Sequence, residues 1–168
     1  MKYYHCDKCS KRHQVYYSMI HPGPMMMFDM TEQEIKQRIY KQGEGMMIID
    51  QERVFIRGEI IMNIHFDETL FLTLLLWAEL DFEEVQSKMD RAKNLKIPVE
   101  LEGRLDSGGP FYPNCKHIKA KLLPHNSIHG DPQMVPQGYN DDLSLDYTTG
   151  ITKRRLINLM NKLHHNQI

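Results

Sequence analysis

Two cysteines separated by two residues, Cys6-Asp7-Lys8-Cys9, are the sharpest chemical signal in the chain. The turn between them folds back, so both sulfurs can point at one tetrahedral metal while turn amides donate to the thiolates. His13 follows at Cys-x-x-Cys-x3-His spacing and offers a third zinc ligand. A fourth must come from far along the chain, and two pairs can supply it: Cys115 with His117, or His164 with His165. Cys115 reads more simply as a buried free thiol, because unpaired cysteine is among the most buried residue types. A redox role would need the Cys-x-x-Cys to open a helix in a thioredoxin-like setting. Ser10-Lys11-Arg12-His13 running into Gln14-Val15-Tyr16 reads instead as the start of a strand. Tyr3, Tyr4, Tyr16 and Tyr17 flank the motif on two short strands. The expectation is a structural zinc knuckle on Cys6, Cys9 and His13.

The other chemical constellations are weaker. Arg57 interrupts apolar strand sequence in Phe55-Ile56-Arg57-Gly58-Glu59. Such a charge must face solvent, line a pocket or pair with a carboxylate such as Glu59 or Glu79. Arg57, Trp77, Glu79 and Tyr112 could rim a cleft; the simpler reading is a core tryptophan beside a rim ion pair. His125, His129 and Asp131 could hold a catalytic metal with open positions, although a solvated polar loop fits the same residues. Either group would suit a metal-dependent hydrolase, which is the alternative to a non-enzymatic binding protein. Lys153-Arg154-Arg155 opens a helix at the end where positive charge is unfavourable; a solvated face explains it as well as an acidic partner does. The twelve methionines read first as core filling. No GxGxxG, GxxxxGK[ST] or GxSxG pattern occurs.

Composition bounds what these groups can belong to. The chain has 168 residues, with 21 Lys and Arg against 22 Asp and Glu, for a net charge of −1. It is long enough to bury a core without disulfides, and its three cysteines do not make a disulfide framework. Near-neutral charge argues against nucleic acid and against a polybasic membrane surface. The longest apolar stretch, 70–78, is far shorter than the roughly 20 residues of a membrane helix. The opening MKYYHCDKCS has no apolar run, so a cytoplasmic protein is expected.

Three helices must position the candidate groups. Thr31 with Glu34, and Asp81 with Glu84, have capping-box spacing, and Thr152 opens the third. The first helix carries Ile35 and Ile39 on one face and stops at Gly43. The third carries the stripe Leu156, Leu159, Met160 and Leu163 and ends at His164 and His165. Between the helices the pattern is β. Segments 46–49 and 54–57 form a hairpin, 59–66 continues through Gly58, and 70–79 is apolar enough to lie at the centre of a sheet. Shorter strands are expected at 99–101 and 118–123. Residues 124–147 read as an irregular excursion with one short strand near Met134. The predicted fold is one α+β domain over 1–168, with a mostly antiparallel central sheet and three packed helices. The knuckle and its strands take 1–20 and the α+β body 21–168.

Several of these segments, in this order, resemble a bacterial family known as domain of unknown function 2199. They are Cys6-x-x-Cys9 with His13, Phe55-Ile56-Arg57-Gly58 and the Ile60 strand, then Leu76-Trp77-Ala78 with Asp81-Phe82. Gly103-x-Leu105, Tyr112-Pro113 and Gly150-Ile151-Thr152 complete the set. The family pattern has glycine where this chain has Ser10, has His-Pro-Leu where it has Asp141-Asp142-Leu143, and lacks a cysteine at 115. The resemblance implies a small bacterial cytosolic protein and brings no activity with it. The reading is therefore a binding protein with a structural zinc knuckle and an unidentified protein or small-molecule partner. An immunity- or antitoxin-type protein with one cognate partner is a further alternative, marked by an exposed apolar patch.

Overall fold

The computed structural model describes residues 1–41, 43–95, 98–124 and 131–165. The chain opens with an antiparallel pair, β1 (Tyr3–His5) and β2 (Arg12–Gln14), that stands apart from the main sheet. β3 (Ser18–Ile20) follows, then a 3-10 turn over Met25–Asp29 and α1 (Glu32–Arg38). β4 (Ile39–Lys41), β5 (Met46–Ile49), β6 (Arg53–Asn63) and β7 (Phe71–Asp81) form successive antiparallel pairs. α2 (Phe82–Leu95) leads to β8 (Leu101–Leu105), β9 (Lys119–Leu123) and β10 (Gln133–Pro136). α3 (Asp142–Thr149) and α4 (Lys153–His165) close the described fold. None of these helices is long and apolar enough to cross a membrane.

The sheet corrects the expected architecture. β6, β7, β8, β9 and β10 close on themselves as a five-stranded barrel, and β3, β4 and β5 are added to it. The fold is α+β, but it is not a mostly antiparallel central sheet. β10 joins β6 in parallel, with Gln133 opposite Glu59, and β3 joins β7 in parallel. Closure works because β6 changes partner along its length. Its first half pairs with β5 up to Met46 opposite Ile56. One residue later the Arg57 amide still donates to Gly45, but two residues beyond it the Glu59 amide already donates to the Pro132 carbonyl at 2.9 Å. A four-residue strand in proline-rich sequence is enough to seal the barrel, and closure removes two sheet edges.

Alternation along β6 and β7 divides the core in two. Val54, Ile56, Ile60 and Met62, with Leu72, Leu74, Leu76 and Ala78, belong to the main cluster. The opposite face carries Phe55 and Trp77, which join Met47 and Ile49 in a second cluster under Met26 and Met27 of the 3-10 segment and Met30 just after it. Methionine filling is thus seen here and at Met62, Met134 and Met160, while Met25 and Met89 are exposed. Two glycines allow the strands this close approach. A Cβ on Gly58 would lie 2.7 Å from Met134 Cε, and one on Gly103 would lie 2.7 Å from the Glu79 carbonyl oxygen and 2.9 Å from Leu80 Cγ. Because a backbone atom cannot rotate away, Gly103→Ala is expected to cost about 1–3 kcal/mol, read as a lower urea midpoint. An unchanged midpoint would refute the close contact between β7 and β8.

The helix starts fall where expected. Thr31 and Glu34 make a reciprocal capping box, the Glu84 amide donates to Asp81, and the Arg155 amide donates to Thr152. The ends differ. α1 stops at Arg38, and Ile39, expected on its apolar face, turns into β4 opposite Ile49. Four α-helices occur among the described residues rather than three, because α3 forms inside the stretch read as irregular. Asp141 caps it through the Ser144 amide, and Gly150 at φ 78° ends it.

Candidate metal centre

The knuckle is built by a tight turn between β1 and β2. The Cys6 amide donates to Lys11 and the Ser10 amide donates back to Cys6, at 2.9 and 2.8 Å. Ser10 sits at φ 55°, a left-handed conformation in which glycine is less strained. The turn puts Cys9 Sγ 3.0 Å from His13 Nε2.

α4 delivers the fourth group. Its apolar stripe, with Leu156, Leu159 and Met160 fully buried, fixes the helix against the body. The last turn then brings His165 Nε2 to 3.1 Å from Cys6 Sγ, across 159 positions of sequence. The ligand atoms of Cys6, Cys9, His13 and His165 all lie within 4.8 Å of one another and could hold a metal ion. Zn–S bonds near 2.3 Å and Zn–N bonds near 2.0 Å in a tetrahedron place ligand atoms about 3.3–3.8 Å apart, below the 4.8 Å limit of the cluster. Cys6 is fully buried, and the other three are half-buried.

Neighbouring groups favour the ligating protonation states. Burial pushes the Cys6 thiol up, but the His165 ring, the amides of Cys9 and Lys8 and the Cys9 thiol together bring it down to about 7. Burial, then the nearby His164, His165 and Lys11, lowers His13 and keeps its imidazole neutral. Burial and the two thiols push Tyr4 up to about 12.

Of the two histidines ending α4, only one reaches the sulfurs. Consecutive helical side chains diverge by about 100°, so a metal can take one of an adjacent pair. His164 instead stacks on His13 at 4.4 Å between ring centroids and contacts the Gln14 carbonyl at 3.2 Å. Cys115 and His117 do not join the cluster. Cys115 is buried near Asp141, and burial with that carboxylate pushes its thiol up to about 11.

The residues of the candidate cleft are distributed differently. Arg57 and Trp77 lie opposite each other on β6 and β7. The Trp77 indole is buried in the second cluster and donates to the His21 carbonyl at 2.9 Å. Arg57 pairs at 3.1 Å with Asp131, rather than with Glu59 or Glu79, and Glu79 is taken by Arg53 at 2.5 Å. Tyr112 belongs to the main cluster. Its hydroxyl donates to Asp146 at 2.8 Å, and burial together with that carboxylate raises it well above the usual tyrosine range. Asp146 also receives Arg155 at 2.7 Å, so one cation of the Lys153-Arg154-Arg155 run serves an internal network that sequence reading missed. His125 and His129 lie outside the described residues.

Searches of curated proteins and of solved structures find no match. A family model described as an uncharacterised protein conserved in bacteria (DUF2199) matches residues 5–151. The matched span contains Cys6, Cys9 and His13 and stops short of His165. With most of its length covered, from the knuckle through the barrel to the start of α4, the chain belongs to the bacterial family of domain of unknown function 2199.

Proposed function

We propose that this protein is a binding protein in which a structural zinc ion on Cys6, Cys9, His13 and His165 fastens the β1–β2 hairpin to α4. The observation that carries the reading is the convergence of four ligand atoms within 4.8 Å. Two thiolates and two imidazoles are a zinc donor set, and four protein ligands fill a tetrahedron with no position left for substrate. That coordination suits a structural role rather than hydrolysis. Thiolates held for a metal also suit the reducing cytoplasm, where disulfides are rare.

Elemental mass spectrometry of the purified, untagged chain tests this directly. About one zinc per chain is expected in protein prepared without chelator, and almost none in the Cys6→Ser, Cys9→Ser variant. Metal-free wild type, or zinc retained by the double variant, would overturn the assignment.

A further inference from the structure

A cleft of about 830 Å³ opens on the outer face of β7, β8 and β9 and shares no residue with the knuckle. Its size is that of a small-molecule site, but its walls are charged. Strand register decides how those charges meet. Arg104 on β8 stands directly opposite Lys119 on β9, a like-charge cross-strand pair that destabilises the sheet by itself.

The cleft is lined by five carboxylates, Glu52, Glu79, Asp81, Glu84 and Glu102, and none of them is bonded to that pair among the described residues. Glu79 faces Arg104 from β7, yet its carboxylate is engaged by Arg53 at 2.5 Å. Glu84 is engaged by Lys88 at 2.6 Å, and Asp81 caps α2. Glu102 stands opposite Lys121 in the strand register. Among the described residues Arg104 and Lys119 make no side-chain hydrogen bond or ion pair. Two adjacent cations therefore face the cleft with no carboxylate bonded to them among the described residues.

An aromatic ring stands beside them. The Gln137 amide donates to the Lys119 carbonyl at 2.7 Å, which ties the segment after β10 to β9. Two residues on, Tyr139 lines the same cleft and is 92% exposed. A tyrosine ring left so open at the cleft's edge offers its face to a flat ligand.

We propose that this cleft binds a small ring-bearing oxyanion, a phosphate monoester or a carboxylate, with the anionic group between Arg104 and Lys119 and the ring against Tyr139. Arg and Lys donate charge-assisted hydrogen bonds to either anion, and a doubly charged phosphate gains more from two cations than a carboxylate does. The inference gives the proposed binding protein a ligand class. It stands independently of the zinc, because the two sites share no side chain.

Isothermal titration of the full chain with phenyl phosphate, benzoate and inorganic phosphate tests it. Phenyl phosphate is expected to bind at least about tenfold more tightly than inorganic phosphate, through the ring. Benzoate binding more tightly than phenyl phosphate would assign the natural anion as a carboxylate and still support the site. Arg104→Gln, Lys119→Gln is expected to weaken every ligand that binds by at least about tenfold. The same change removes a repulsive pair, so the melting temperature should hold or rise, which separates lost binding from misfolding. Tyr139→Ala should bring phenyl phosphate to the affinity of inorganic phosphate and leave the latter unchanged. Failure of all three probes to bind at about 10 mM, or binding indifferent to the double substitution, would overturn the proposal. The zinc assignment would survive that failure, since metal content is measured separately.

Discussion

On the proposed zinc site, chelation that removes an ion from Cys6, Cys9, His13 and His165 is expected to lower the melting temperature by about 10 °C. The proposed ligands Cys6 and His165 are separated by 159 positions, so an ion bound by both would close a loop almost as long as the chain. A cross-link of that span removes much conformational freedom from the unfolded chain, and the stabilisation grows slowly with loop length. The hairpin is the element most exposed to the loss. It has three residues in each strand and, among the described residues, no strand partner in the main sheet. Such a pair is marginal by itself in water. His165→Ala should reproduce the effect of chelator, because it removes one ligand and the link to α4 together. His164→Ala is the matched control: the ring stacks on His13 without joining the ligand set, so zinc should be retained and the melting temperature should change much less. A melting temperature within about 2 °C of the holo protein after verified metal removal would contradict the clamp.

The second large effect is expected at Arg155. Its guanidinium reaches Asp146 at 2.7 Å and Asp142 at 3.1 Å, joining α4 to α3. Asp146 is 8% exposed and otherwise receives only the Tyr112 hydroxyl among the described contacts. Arg155→Met keeps most of the aliphatic stem and removes the charge, leaving a buried carboxylate without its cation. The cost is expected to be about 3 kcal/mol, the lower end for a broken buried pair because Arg155 keeps some solvent contact. Asp146→Asn in the same background removes the orphaned charge, so the double variant should be more stable than Arg155→Met alone. Urea denaturation of the two variants checks the ordering, and a double variant weaker than the single would show that the network works through geometry rather than charge.

Much of the local structure was legible in the sequence because it is governed by neighbours a few residues apart. Thr31, Asp81 and Thr152 each announce a helix start through a short side-chain contact with the following turn. The β5–β6 hairpin and the long strands β6 and β7 follow from apolar, β-branched runs broken by turn residues. α3 escaped because Asp142–Thr149 has a scattered apolar pattern and sits in a stretch dominated by proline, glycine and asparagine. The sequence also carries no mark for the end of α1 at Arg38, since Ile39 suits a helix face and a strand equally well.

By itself the sequence determined the half-site. Cys6, Cys9 and His13 are close because a short turn leaves them little alternative, and the apolar stripe of α4 follows from its own spacing. Only the tertiary structure decided the rest. The choice of His165 over His164, Cys115 and His117 depends on where α4 docks and how it is rotated, which the packing of Leu156, Leu159 and Met160 sets. Barrel closure depends on β6 exchanging β5 for β10 at Gly58, through a parallel contact between Glu59 and Gln133. The juxtaposition of Arg104 and Lys119 depends on the register of β8 against β9. Each is a contact between residues far apart in the chain, where side-chain packing selects one arrangement from many that local propensity would allow.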